Sequence, residues 1–206
     1  TEEFGPERIK DSPLSESAIV GAGVGSAMGG MRPIVELMTI NFSLLAMDQI
    51  VNHAAKLRYM SGGQISVPLI IRTVTGGGAQ LAATHSQSFE GWYASVPGLI
   101  VVTPSTAYDA LGLFRTCRKQ MDPVIFVEHR LLYSTDAPVP EDPYIIEFGK
   151  ARVVGEGLDI TLVGISYMLV ECLAARDLLS EVGISAEVID PVSLMPLDIE
   201  TITSST

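Results

Sequence analysis

Val67-Pro68-Leu69-Ile70-Ile71-Arg72-Thr73 is a short run dominated by branched aliphatic residues, and Gly76-Gly77-Gly78 follows it closely. A run of this length without polar alternation reads as a strand buried on both faces, the kind found in parallel sheets. The glycines break the pattern into a loop that extends to the region of His85. Beyond it, 88–95 reads as a short helix, 99–103 as a strand closed by Pro104, 108–119 as a helix and 124–128 as a strand. Towards the N-terminus, 41–59 reads as a long amphipathic helix, 33–37 as a short apolar strand and 17–31 as a helix of small residues. Some five βα alternations predict an α/β fold with a doubly wound parallel sheet.

Residues 131–144 change character. The stretch Asp136-Ala137-Pro138-Val139-Pro140-Glu141-Asp142-Pro143 cannot continue a sheet or helix, because proline removes backbone donors and fixes φ. A domain is therefore expected over 1–132, a linker over 133–144 and the start of a second α/β domain over 145–206. In the latter, 145–154, 160–163 and 186–189 read as strands and 167–182 as a helix. The absence of an initiator Met and the stop just after a helix begins suggest a piece of a longer chain. Gly21, Gly25 and Gly29 fall at four-residue spacing on one helix face. They suit close packing against the chain's own sheet or against another subunit.

The net charge of −11 is spread without a Lys/Arg cluster that could track a phosphate backbone, so nucleic acid is disfavoured as a partner. The longest apolar runs are too short to cross a bilayer, and no charged-then-apolar signal segment opens the chain. Cys117 and Cys172 lie in apolar helical contexts and read as reduced thiols of an intracellular protein.

In Asp11-Ser12-Pro13-Leu14-Ser15-Glu16, Pro13 biases Ser12 towards an extended loop and Ser15 is a good N-cap. Glu16 then falls in a helix's first turn, among unpaired N–H groups at the positive end of the dipole, as a cap or as a working carboxylate. Met38 and Phe42, four residues apart, suit a core or a pocket wall. Tyr59 and Met60 could line an approach to such a pocket. His85 sits between a Gly-rich loop and a helix, where an imidazole can donate to an oxyanion or move a proton. His53 reads as structural, and His129 stands at a strand's end. Gly76–Gly78 lacks the Lys-Ser/Thr of a phosphate-binding P-loop. The run Gly21-Ala22-Gly23-Val24-Gly25 precedes a strand rather than following one, which disfavours a Rossmann site.

These segments carry a resemblance that runs in order over most of the chain. Glu16 with the 21–25 glycines, Arg32-Pro33-Ile34-Val35-Glu36, Met38-Thr39-Ile40-Asn41-Phe42, Asp48-Gln49-Ile50, Tyr59-Met60-Ser61-Gly62-Gly63 and His85-Ser86-Gln87-Ser88 resemble the β subunits of thiamine-diphosphate-dependent 2-oxo acid dehydrogenases. The pyruvate branch is the most similar. The resemblance implies a transketolase-like pyrimidine-binding domain, with Glu16 hydrogen-bonded to the cofactor's aminopyrimidine, Phe42 and Met38 against that ring, and His85 facing the substrate and the incoming lipoyl arm. It implies thiamine diphosphate, with magnesium held by an α subunit, because the family's metal–diphosphate signature (Gly-Asp-Gly followed by paired asparagines) does not occur here. It implies an α2β2 assembly, decarboxylation of a 2-oxo acid such as pyruvate, and transfer to the lipoyl domain of a transacetylase. The location is then the cytoplasm of a prokaryote or an organelle matrix. Some family members bind structural potassium through backbone carbonyls, and the matching positions are Leu69, Cys117, Arg118, Gln120 and Asp122. Branched-chain and acetoin β subunits are alternatives within the family. Transketolase, deoxyxylulose-phosphate synthase and a non-enzymatic or flavin-binding α/β module are alternatives outside it.

Overall fold

The computed structural model describes residues 2–205. The first unit runs α1 (Glu16–Met28), β1 (Ile34–Leu37), α2 (Leu57–Met60), β2 (Ile70–Thr75), α3 (Glu90–Ala94), β3 (Ile100–Val102), α4 (Ala107–Cys117) and β4 (Val124–His129). Strands β1, β2, β4 and β3 are parallel neighbours in that order, with β2 and β4 paired from Ile70↔Val124 to Thr75↔His129. This is the doubly wound α/β sheet expected from the alternation. One apolar cluster lies between the sheet and α1, the 40–54 segment and α3. A second, including Ile70, Val124 and Phe126, lies under α4 through Leu113 and Cys117.

The strand expected over 67–73 begins at Ile70. Pro68 has no N–H to contribute to a ladder, and the Leu69 N–H turns back to Val67 O instead of a neighbouring strand. The helix expected over 41–59 is broken into a 3-10 segment (Ile40–Ala46), a π segment (Gln49–Ala54) and the short α2. At its start the Ser43 hydroxyl donates to Ile40 O at 2.5 Å, and Asn41 turns its amide outwards to other segments. Polar side chains that take up nearby backbone groups in this way compete with α-helical bonding.

The glycine stripe is also reassigned. Gly23, not the 21/25/29 face, meets the sheet, since a Cβ there would stand 2.7 Å from Val35 Cγ1 and 3.0 Å from Leu69 Cδ1. Gly25 faces open space. Ser15 occupies the N-cap position of α1 without a side-chain cap bond.

The second unit holds β5 (Arg152–Gly155), β6 (Ile160–Val163), α5 (Tyr167–Glu181), β7 (Ala186–Asp190), β8 (Ser193–Met195) and α6 (Ile199–Ser204). Strands β6 and β7 are parallel and β5 is antiparallel to β7. The strand expected over 145–154 starts only at Arg152, because its first part lies along α4. Tyr144 stacks on Tyr108 at 4.4 Å, and Thr116 Oγ1 donates to Ile146 O at 2.6 Å. A strand not anticipated, β8, leaves the second unit and pairs antiparallel with β3, completing a five-stranded sheet. Arg152 on β5 reaches both Asp109 of α4 and Asp190 of β7 at 2.7 Å. Both acids are 1% exposed.

Candidate active site

Parallel strands deliver their C-terminal ends to one edge of the sheet, where α/β folds build sites. Met38, Thr39 and Phe42 leave β1 at this edge, the Gly76–His85 loop leaves β2, and His129 ends β4. Helix α1 packs on β1 and leads back to its start, so the N-terminal turn bearing Glu16 lies towards the same edge.

The tertiary structure brings Phe42 and His85 together, edge to face, with ring centroids 5.3 Å apart. His85 Nδ1 lies 3.0 Å from Thr84 Oγ1. Behind the pair, the buried Asn41 joins the strand ends. Its Oδ1 accepts from the backbone N–H and the side-chain amide of Gln87 (3.2 and 3.1 Å), while its Nδ2 donates to Thr39 Oγ1 at 2.7 Å. Thr39 Oγ1 donates in turn to Val74 O of β2 at 3.3 Å. The loop carrying His85 is thus tied to the turn carrying Phe42. Met38 is 60% exposed, and Tyr59 and Met60 project from α2 into solvent. The Glu16 carboxylate, half-buried in the first turn of α1, receives no hydrogen bond or ion pair from any described residue. Glu16 and Met38 thus share the sheet edge that holds the Phe42–His85 pair, and both are open to a ligand or partner.

Nothing in the sequence marks Asn41 as a hub, because a single buried polar residue has no spacing signature. His129 is better embedded than its sequence suggested. Its Nδ1 accepts from the Leu131 N–H, its ring stacks on Tyr167 at 5.1 Å, and a Cβ on Gly76 would collide with it. Only a glycine, here at φ +88, lets the β2 loop pass this ring. Burial lowers the His129 pKa, opposed by the nearby charge of Glu90. Glu90 itself accepts from Thr75 Oγ1 at 2.8 Å. His53 sits in the π segment 3.4 Å from Asp48, away from this cluster. Burial pushes the Cys117 thiol up to about 12, consistent with an inert core thiol.

The carbonyls matched to potassium lie at the opposite, amino edge of the sheet, and they do not form a vacant cage. Arg32 Nη1 donates to Arg118 O at 3.0 Å and to Gln120 O at 2.7 Å. Leu69 O accepts from Val124 N–H, and Cys117 O from Gln120 N–H. The Asp122 side chain is held by Arg58 at 2.7 and 2.8 Å.

Comparison with known proteins agrees with this architecture. Residues 1–135 match the transketolase pyrimidine-binding domain and residues 149–206 the transketolase C-terminal domain. The chain belongs to the transketolase family. Within that family it is 47% identical, over 99% of its length and 57% of the relative's, to the mitochondrial pyruvate dehydrogenase E1 component subunit beta-1 of Arabidopsis thaliana. It is 47% identical, over 97% of its length and 59% of the relative's, to the acetoin:2,6-dichlorophenolindophenol oxidoreductase subunit beta of Cupriavidus necator. A split-gene transketolase solved as an inactive β4 tetramer superposes with a TM-score of 0.82 at 25% identity, covering 99% of this chain and 63% of that one. The chain thus spans little more than half the length of the curated relatives it matches. No helix among the described residues is long and apolar enough to cross a membrane.

Proposed function

We propose that this chain is part of the β subunit of a thiamine-diphosphate-dependent 2-oxo acid dehydrogenase, acting on pyruvate together with an α subunit. The observation that carries the reading is the unpartnered Glu16 carboxylate at the head of α1, at the sheet edge that also holds the Phe42–His85 pair. When bound, thiamine diphosphate supplies the electron sink for decarboxylation. Glu16 would accept a hydrogen bond from the pyrimidine ring nitrogen and so hold the tautomer that activates the far end of the molecule. Phe42 would pack against that ring, and Met38 would close the pocket beside it. His85, oriented by Phe42 and Thr84, would donate to the developing oxyanion and hand a proton to the lipoyl sulfur released as its S–S bond opens. Asn41 would hold the His85 loop in register with Phe42.

Magnesium and the cofactor's diphosphate are assigned to the α subunit in an α2β2 assembly, with the exposed α1 stripe around Gly25 and the apolar Met38, Leu45 and Tyr59 surface available to a partner. The lipoyl domain of a transacetylase would receive the two-carbon product. In this reading the chain works in a bacterial cytoplasm or an organelle matrix. The acetoin oxidoreductase remains a second reading, because its β subunit matches as closely as the plant pyruvate relative.

The test is turnover of pyruvate, and in parallel of acetoin, by the full-length chain mixed with an α subunit, magnesium and thiamine diphosphate. Pyruvate turnover that needs both chains and falls about a hundredfold or more in Glu16→Gln is expected, the scale of a lost acid–base group. Acetoin turnover without pyruvate turnover would favour the second reading. Turnover indifferent to Glu16 would overturn both.

A further inference from the structure

The amino edge of the sheet carries a device that the proposed chemistry does not use. Helix α4 ends at Cys117, and the carbonyls of a last helical turn lack intrahelical donors and carry the negative end of the dipole. The chain rounds this end through residues 118–122 and enters β4 at Val124. A cation is needed there, and the sequence supplies one from a position 86 residues away. Arg32, in the loop between α1 and β1, places both hydrogens of Nη1 on Arg118 O and Gln120 O, and its Nη2 lies 3.0 Å from Met121 Sδ.

We infer that the Arg32 guanidinium is the resident cation of this carbonyl cluster and that the chain takes no potassium ion there. Four of the five carbonyls matched to potassium already have donors: Leu69 from Val124, Cys117 from Gln120, and Arg118 and Gln120 from Arg32. Leu69 O and Cys117 O each keep a second lone pair, so the block lies at Arg118 O and Gln120 O, which the guanidinium occupies. To enter here, the ion would have to displace the guanidinium from two oxygens while repelled by its charge. The planar guanidinium fork matches two acceptors at once. Because Arg32 is part of the chain, its cap loses no translational freedom on forming and does not depend on the ionic composition of the cell. It also pins the start of β1 to the start of β4 across β2, which holds the strands whose far ends carry Met38 and His129. This inference stands apart from the proposed activity, since the cluster lies at the edge of the sheet opposite the candidate site.

Thermal unfolding of the full-length chain tests it, in potassium, sodium and tetramethylammonium chlorides at equal ionic strength. The wild-type Tm is expected to agree among the three within about 1 °C, because a bound ion would add stability by mass action and tetramethylammonium cannot enter a carbonyl ring. Arg32→Met, which keeps the stem and removes the charge, is expected to lower the Tm by several degrees in every salt. A potassium-specific rise in the wild-type Tm would overturn the inference, and so would an Arg32→Met Tm equal to wild type. Should Arg32→Met not fold, the wild-type salt series decides the question without it.

Discussion

At the scale of single residues, the environment separates two histidines that look alike in the sequence. His85 is held by an aromatic edge and a hydroxyl on the face of a loop, while His129 is wedged between Gly76 and Tyr167 and bonded to the Leu131 N–H. Burial lowers the His129 pKa from its ordinary value near 6.5. The neutral ring is therefore favoured in the folded state, and the unfolded chain binds the extra proton more readily. Stability through this group is fully present above about 6.5 and is lost as pH falls from there towards the lower folded pKa. Tm measured between pH 7.5 and 5 is expected to fall more steeply for wild type than for His129→Gln, whatever the absolute offset between them. An equal slope in the two proteins would show that the ring titrates freely.

At the scale of elements, α1 illustrates how much of a helix can be read in advance. Its start and its small-residue character were legible, because Pro13 and Ser15 announce the turn, but the helix ends at Met28, three residues short of the expected 31, where Gly29 and Gly30 stop it. Which glycine meets the sheet was not legible, because that depends on the angle at which the helix crosses β1. The contrast gives a paired prediction. Gly23→Ala forces a methyl into Val35 and Leu69 and is expected to cost about 1–3 kcal/mol, as overpacked core sites do. Gly25→Ala meets nothing and replaces a poor helix former, so the chain should gain up to about 1 kcal/mol. Urea denaturation of both variants checks the order. The 40–60 segment was the least legible element. Its periodicity is helical, yet Asn41 and Ser43 spend their polar groups on the Gln87 loop, on Tyr93 and on the local backbone rather than on a regular helix.

At the scale of the whole molecule, the two units are joined through β8 and through the Asp109–Arg152–Asp190 cluster. Asp109 is anchored by Thr106, which donates to its carboxylate at 2.7 Å and accepts from its N–H, while Asp190 accepts from the Val192 N–H at 3.0 Å. Removing the cation leaves two buried carboxylates facing each other with neutral donors but no opposite charge to offset their desolvation. Arg152→Met is therefore expected to cost about 3–5 kcal/mol, the range for breaking a buried ion pair from one side. Urea unfolding at pH 7 measures it, and a loss under about 1 kcal/mol would mean that water screens the pair as it does a surface one.

The alternation of apolar strands with helical stretches settled the α/β fold, because period and breaker residues are local properties that any segment carries with it. The resemblance of short blocks along the chain points to Glu16, Met38, Phe42 and His85 without any knowledge of tertiary contacts. What these residues touch was decided by tertiary structure alone. Phe42 meets His85, Asn41 meets Gln87, Arg32 caps a turn 86 residues away, and β8 crosses to a sheet begun by Ile34. Each of those contacts joins segments far apart in the chain, and its strength depends on distance and burial, which no local pattern encodes.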